Sequence, residues 1–268
     1  MTDSITATNL MKLALQQGKS VVGTMVCEIR QPAVMQLLAN AGFDFVIIDN
    51  EHGAFNVETI ADLSRTARYV GLTCLVRVPE LAYPYLAQVL DGGALGIMLP
   101  RVMGAEQVRE AVQMIKFPPL GRRGNALSRG YTNFKSGSPL EVMARCNNET
   151  MLIIQIETAE AVENIEEIVT TPGVDVALIG PNDLSIALGV GGQLESPVLH
   201  AAIEKTMAAC KKHGVYPAIH MNDLAQAVYW AQKGMRVLST NSETGLMVQA
   251  GVAVVNAIRP AFGGQQIS

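Results

Sequence analysis

Cysteine is scarce and scattered: Cys27, Cys74, Cys146 and Cys210 form no C-x-x-C pair. That spacing excludes a zinc–thiolate module and a disulfide framework, and it points to free, buried thiols in a reducing compartment. Charge is also sparse. Lys, Arg, Asp and Glu make up 16% of the 268 residues, the net charge is −4, and aromatic residues are 5%. With no basic block and few rings to stack on bases, nucleic-acid binding is not expected. No apolar run approaches the roughly 20 residues of a bilayer span, so no membrane partner is expected. The leading MTDSITATNLMKLALQQGKS has no basic segment followed by an apolar core, so it does not read as a secretion signal. A cytoplasmic location is the expectation. No G-x-G-x-x-G follows the first apolar run, which weighs against a dinucleotide-binding fold. Lysine is absent from the strand-like runs as well: Lys12, Lys19, Lys116, Lys135, Lys205, Lys211, Lys212 and Lys233 fall in helices, termini or loops. None is placed to form an iminium with a carbonyl compound.

What the chain has in quantity is apolar sequence, 49% of it, enough for a large core. Apolar runs near 21–27, 44–49, 73–78, 95–99, 151–157, 174–179, 215–220 and 235–240 read as buried parallel strands, with helical periodicities between them. Pro32 opens one helix, Asn56 caps another that stops at Gly71, and Ser196-Pro197 starts a third that ends at Gly214. Asn222 is expected to cap a fourth ending at Gly234. His200 and His213 fall on helices as surface residues. Eight strands alternating with helices predict an α/β fold, a (β/α)8 barrel occupying residues 1–268 as one domain, with a helix near 7–18 covering its bottom. One stretch breaks the rhythm. PPLGRRGNALSRGYTNFKSGSP, after Phe117, is rich in Gly, Ser, Pro and Arg, and a loop this long in a compact barrel is usually functional.

Polar residues cluster where the apolar runs stop, which a barrel gathers on one face. VIIDNEHG carries Asp49, Glu51 and His52; LVRV carries Arg77; LIIQIE carries Gln155 and Glu157; ALIGPNDLS carries Asp183. Glu157 and Asp183, on neighbouring strands five and six, are two hard oxygen donors suited to Mg²⁺, Mn²⁺ or Co²⁺, although Asp183 could equally cap the next helix. The turn Gly180-Pro181-Asn182-Asp183 enters a helix and presents amides that could seat a carboxylate. Arg77, flanked by valines, needs an anionic partner. That partner is either Asp49 or Glu51 inside the protein, or an oxyanion on a ligand. His52 is placed for proton transfer, and His220, ending the seventh run, is a second candidate.

GFDFVIIDNEHG, LVRVPE, PPLGRRG, LIIQIETAEAVENIEEI and GVDVALIGPNDLSIALG together resemble the HpcH/HpaI family of metal-dependent aldolases, over about residues 8 to 260. The resemblance implies cleavage or formation of 4-hydroxy-2-oxoacids, giving pyruvate or a close 2-oxoacid and an aldehyde through a metal-stabilised enolate. It implies Glu157 and Asp183 as metal ligands, Arg77 at the enolate oxygen, and His52 in proton transfer with Asp91 of a neighbouring subunit. Taken alone, Asp91 reads as the end of a helix before Gly92. Gln155, Gly180, Asn182 and Asp183 would hold the oxoacid. Asn125 and His220, polar where aliphatic residues are common in the family, would face the aldehyde and favour hydroxylated or carboxylated acceptors. A homo-oligomer, trimer or hexamer, with C-terminal helices exchanged between subunits is also implied. The alternatives are a CoA-ester lyase of the citrate-lyase β type, which the missing basic groove disfavours, and a ketoacid-binding relative without turnover.

Overall fold

The computed structural model describes residues 5–262. Eight strands, β1 (Val21–Val26), β2 (Phe45–Asp49), β3 (Thr73–Arg77), β4 (Gly96–Leu99), β5 (Met151–Ile156), β6 (Val176–Ile179), β7 (Tyr216–His220) and β8 (Val237–Ser242), pair in parallel and in sequence order. The barrel closes where β8 pairs with β1. Around it run α1 (Leu10–Gln16), α2 (Ala33–Asn40), α3 (Val57–Tyr69), α4 (Tyr83–Gly92), α5 (Ala105–Ile115) and α6 (Pro139–Glu149). They are followed by α7 (Ala159–Glu163), α8 (Ile165–Val169), α9 (Pro181–Ala187), α10 (Pro197–His213), α11 (Leu224–Gln232) and α12 (Glu243–Ile258). This is the (β/α)8 architecture that the alternating runs predict.

Strands β2 to β6 are buried on both faces, which is why they read as continuous apolar runs rather than alternating ones. One core fills the barrel: Phe45 and Ile47 of β2, Leu75 of β3, Met98 of β4, Met151 and Ile153 of β5, Val176 and Leu178 of β6. Met11 and Leu15 of α1 seal its bottom. A second, larger core lies between the strands' outward residues, such as Val46, Ile48 and Ile154, and the helices. Asn56 caps α3 through its side chain, accepting from the Thr59 amide at 2.8 Å. The cap of α11 is Asp223 rather than Asn222. Asn222 is diverted to β8, where its Oδ1 accepts from the Asn241 amide at 2.9 Å. His200 is half-buried, packing against the rings of Tyr229 and Trp230.

Two features go beyond the sequence reading. Lys116 lies in a loop, as expected, yet is 4% exposed, with its Nζ held by the carbonyls of Asn147 and Thr150 at 2.7 and 2.5 Å. Burial pushes it down to about 8. It follows α5 in the outer layer and lines no part of the barrel mouth. The other concerns length. Gln249 and Asn256 interrupt the apolar sequence near the C-terminus, yet residues 243–262 form one helical rod of 20 residues whose most apolar 18-residue stretch has a mean hydropathy of 1.3. By length and composition alone it could cross a membrane, and of the residues of α12 only Glu243 is buried in this chain.

Gly96 shows how tightly the barrel closes. A Cβ there would lie 2.5 Å from the Met151 carbonyl oxygen of the adjacent strand and 2.8 Å from the Leu75 side chain. Because a strand backbone cannot step aside, Gly96→Ala should cost about 1–3 kcal/mol. Urea unfolding should show a lower midpoint with an unchanged slope; an unchanged midpoint would contradict the packing described here.

Candidate active site

Side chains alternate along a strand, so the residues that follow the barrel's interior series at its C-terminal end must also point inward. The interior series Phe45–Ile47 continues to Asp49, Leu75 to Arg77, Met151–Ile153 to Gln155 and then Glu157, Val176–Leu178 to Gly180, and Ala218 to His220. The polar mouth is thus a layer stacked on the apolar fill. It surrounds a cavity of about 200 Å³ lined by Met25, Ile47, His52, Arg77, Met98 and Gln155, and by Leu178, Gly180, Pro181, Asn182, Asp183 and His220.

Arg77 is the buried cation of this layer. Its Nε donates to Asp49 Oδ1 at 2.9 Å and its Nη2 to Oδ2 at 2.7 Å, while Nη1 lies 3.1 Å from Glu51 Oε2. The internal alternative holds: the guanidinium is ion-paired with Asp49 and Glu51, and it also lines the cavity. Burial alone would push the Asp49 carboxyl up, but the hydrogen bonds and charge of Arg77 outweigh it and hold Asp49 below its ordinary range. Asp49 Oδ1 also accepts from the amides of Glu51 and His52 at 3.1 and 3.4 Å, tying the following loop to the pair. The His52 side chain is 73% exposed.

Glu157 is 5% exposed. Its Oε1 accepts from the Arg101 amide at 2.7 Å and its Oε2 from Gln155 Nε2 at 2.5 Å. Burial, with the nearby carboxylates of Glu51 and Asp183, pushes its carboxyl above the ordinary range. Gln155 Oε1 is buried without a partner. Gly180 stands beside them, where a Cβ would come 3.0 Å from Gln155 Nε2 and 3.1 Å from Glu157 Oε2. No cluster of three His, Cys, Asp or Glu residues suited to a metal exists among the described residues. The two carboxylates could therefore hold a cation only with coordination positions left open, as suits hard cations that keep water or substrate oxygens.

His220 Nδ1 lies 2.8 Å from Ser239 Oγ, and burial together with Arg77 pushes the imidazole down to about 4. The histidine is therefore neutral at pH 7 and presents a hydrogen-bonding edge without charge. Two expected residues are not brought to this mouth within the chain. Asp91 ends α4, at the opposite end of the barrel layer, and is bound by Arg123 Nη2 at 2.6 Å. Asn125 is exposed on the outer loop, next to Gly124, whose amide donates to Tyr83 Oη at 2.6 Å. Two residues unforeseen in the sequence support the mouth instead: Ser239, inward on β8 beside His220, and Glu243, which accepts from the amides that follow β1.

Because the Asp49 carboxyl is held low, its pairing with Arg77 contributes fully above the ordinary aspartate range and is lost as pH falls through the depressed value. Asp49→Asn leaves Arg77 with Glu51 alone and should cost about 3 kcal/mol near neutral pH. Chemical unfolding at several pH values should show the gap to the parent protein closing on acidification. A gap that widened toward acid would reverse the assignment.

The chain matches the family model described as HpcH/HpaI aldolase/citrate lyase over residues 25–250. It is 40% identical over 191 residues to a 4-hydroxy-4-methyl-2-oxoglutarate aldolase of Chaetomium globosum, covering 69% of this chain and 70% of that one. It is 31% identical over 258 residues to the 4-hydroxy-2-oxo-heptane-1,7-dioate aldolase of Escherichia coli, covering 96% of each. In structure it is similar to an HpcH/HpaI aldolase from Desulfitobacterium hafniense, with a TM-score of 0.90, 35% identity, and 94% and 97% of the two chains covered. A polar layer on a filled eight-stranded barrel, matched over nearly its whole length, places this carbon–carbon lyase in the HpcH/HpaI aldolase/citrate lyase family.

Proposed function

We propose that this protein is a divalent-metal-dependent aldolase that cleaves or forms 4-hydroxy-2-oxoacids, with pyruvate or a close 2-oxoacid as one partner and an aldehyde as the other. The observation that carries this reading is the juxtaposition of an anchored guanidinium and the Asp183 carboxylate on one small cavity, with the buried Glu157 carboxylate close enough for both charges to act on it. The residues fit a metal. Glu157 and Asp183 are hard oxygen donors whose mutual repulsion a cation relieves, and the unpartnered Gln155 Oε1 can accept from a water beside it. When bound there, Mg²⁺, Mn²⁺ or Co²⁺ supplies Lewis-acid polarisation of the 2-oxo group.

The remaining steps fall to the chain itself. Amides of Asn182 and Asp183, in the first turn of α9 and without a side-chain cap, hold the oxoacid carboxylate. Arg77 cannot swing away from Asp49 and Glu51, so its remaining N–H groups stay aimed at the oxygen that becomes negative as the C3–C4 bond breaks. That bond's electron pair passes to C3 and the 2-oxo oxygen, forming the enolate. His52 takes the C4 hydroxyl proton, so the C4 carbon leaves as an aldehyde. Asp91 and Asn125 reach such a mouth only from another copy of the chain. The exposed apolar side chains of α12, among them Met247, Val248, Val252 and Ile258, support a homo-oligomer in which this helix docks on a neighbour. A cavity of about 200 Å³ with one guanidinium suits a small oxoacid and offers no basic track for the phosphates of CoA.

Cleavage of a 4-hydroxy-2-oxoacid, followed by pyruvate release, should require added Mn²⁺ or Mg²⁺ and cease on chelation. Glu157→Gln should lower kcat by roughly 100-fold. Metal-dependent exchange of pyruvate methyl protons in deuterated water separates an aldolase from a protein that only binds ketoacids. Turnover that persists in a chelator would refute the proposal.

At the acceptor end, neutral His220 should favour aldehydes carrying a hydroxyl or carboxyl group. His220→Leu should lower the rate ratio of hydroxylated to apolar aldehydes about tenfold, the usual scale for one hydrogen bond to a bound group. The ratio is immune to loss of active protein. If neither His220→Leu nor Asn125→Val changes it, the polar acceptor pocket is wrong.

A further inference from the structure

The seam where the barrel closes carries an anion that the chemistry above does not use. Between Gly23 and Met25 the β1–β8 register shifts, and Asn241 takes a left-handed φ of 56°, so that Met25 pairs with Ser242. This irregularity turns the next residue, Glu243, toward the end of β1. Its Oε1 accepts from three consecutive amides, Cys27 at 2.9 Å, Glu28 at 2.7 Å and Ile29 at 2.9 Å, and its Oε2 from Cys27 at 2.9 Å. The residue is 4% exposed. A carboxylate in such a nest of amides fixes the backbone around it, because each bond is charge-assisted. Helix capping does not explain it, since Ser242 Oγ already caps α12 through the Gly245 amide at 3.2 Å.

The gripped segment supports the loop that carries His52. A Cβ on Gly53 would sit 3.0 Å from the Cys27 carbonyl oxygen and 2.2 Å from that of Asp49, so Gly53 is wedged between the two strand ends. Arg30 Nη2 donates to the Ala54 carbonyl at 3.1 Å. Cys27 lies close enough to Asp49 and Arg77 for both charges to act on its thiol, which burial pushes up to about 12. His52, with its side chain 73% exposed, has little besides this loop to hold it in place.

We infer that Glu243 is a positioning residue: through the amides of residues 27–29 it sets the 50–54 loop, and hence His52, relative to Arg77. Because Glu243 is also the one buried residue of α12, it joins that exposed helix to the mouth of the barrel. The inference rests on the proposed role of His52, but the position of the loop can be measured without turnover.

The test compares the full-length parent protein with Glu243→Gln, which keeps the length of the side chain and loses its charge, and with Arg30→Ala, a surface change that cuts the link to Ala54 and leaves the core intact. Hydrogen–deuterium exchange should speed up in residues 27–30 and 50–55 of Glu243→Gln and in 50–55 of Arg30→Ala, with β5 and β6 unchanged. In both variants kcat should fall by about tenfold, the usual consequence of a small misplacement. KM for the oxoacid should change less than twofold, and the limb of the pH–rate profile given to His52 should move. Glu243→Asp should recover less than half of the loss, because the shorter side chain cannot reach all three amides. Parent-like exchange in 50–55 for both variants would overturn the inference, as would faster exchange with parent-like kcat and pH profile. A parent protein with no aldolase turnover would refute the proposed reaction, while the exchange arm would still decide whether Glu243 sets the loop.

Discussion

A guanidinium held between two carboxylates on top of a filled barrel is the constraint to which the rest of the mouth is subordinate. Arg77 stands one interior step above Leu75, so its charge rests on hydrocarbon and cannot be left to water. Asp49 and Glu51 answer that charge from the neighbouring strand end. The same pairing ties down the backbone that leads to His52, because Asp49 Oδ1 also takes two amides of that loop. One buried ion pair therefore fixes both an electrophilic donor and the start of a loop. Neither could be adjusted without disturbing the other.

The charge balance extends the argument to the opposite wall. Asp49, Glu51, Glu157 and Asp183 put four carboxylates around one buried guanidinium, with His220 neutral. Burial, reinforced by the carboxylates of Glu51 and Asp183, pushes the Glu157 carboxyl upward. Its bond to Gln155 and the unmatched Gln155 oxygen show a polar set short of one partner. A divalent cation with open positions is the species that would satisfy both at once, and this links the static imbalance to the proposed chemistry.

Much of this was legible in the sequence, for a physical reason. In a parallel barrel both faces of each strand are buried, so a polar residue at the end of an apolar run is an exception that must have a cause. Asp49, Arg77, Gln155, Glu157 and His220 all announced themselves in that way. What the runs could not show was which residues meet across the barrel or outside it. Asn222 and Asp223 are adjacent and equally able to cap a helix, and only the pull of Asn241 on Asn222 decides between them. Lys116 lies beyond the end of a helix, and its contacts with the carbonyls of Asn147 and Thr150 join residues 31 and 34 positions apart, which no local pattern shows. Only the family resemblance connects Asp91 and Asn125 with the site. The topology of one chain carries them to its far end and outer flank.

Glu243 was illegible for a different reason. An acidic residue opening a helix is the commonest of helix signals, and nothing in STNSETGLM distinguishes a capping charge from one buried in a nest of amides. The distinction arises from the seam. Closing a barrel forces the first and last strands into a register that sequence periodicity does not specify. Here the mismatch is absorbed by a shift on β1 and a left-handed Asn241 on β8. That local irregularity turns an ordinary helix start into an anchor for the opposite strand's loop. The most exposed apolar helix in the chain thereby begins at a carboxylate that grips residues 27–29, the segment against which Gly53 of the His52 loop is wedged.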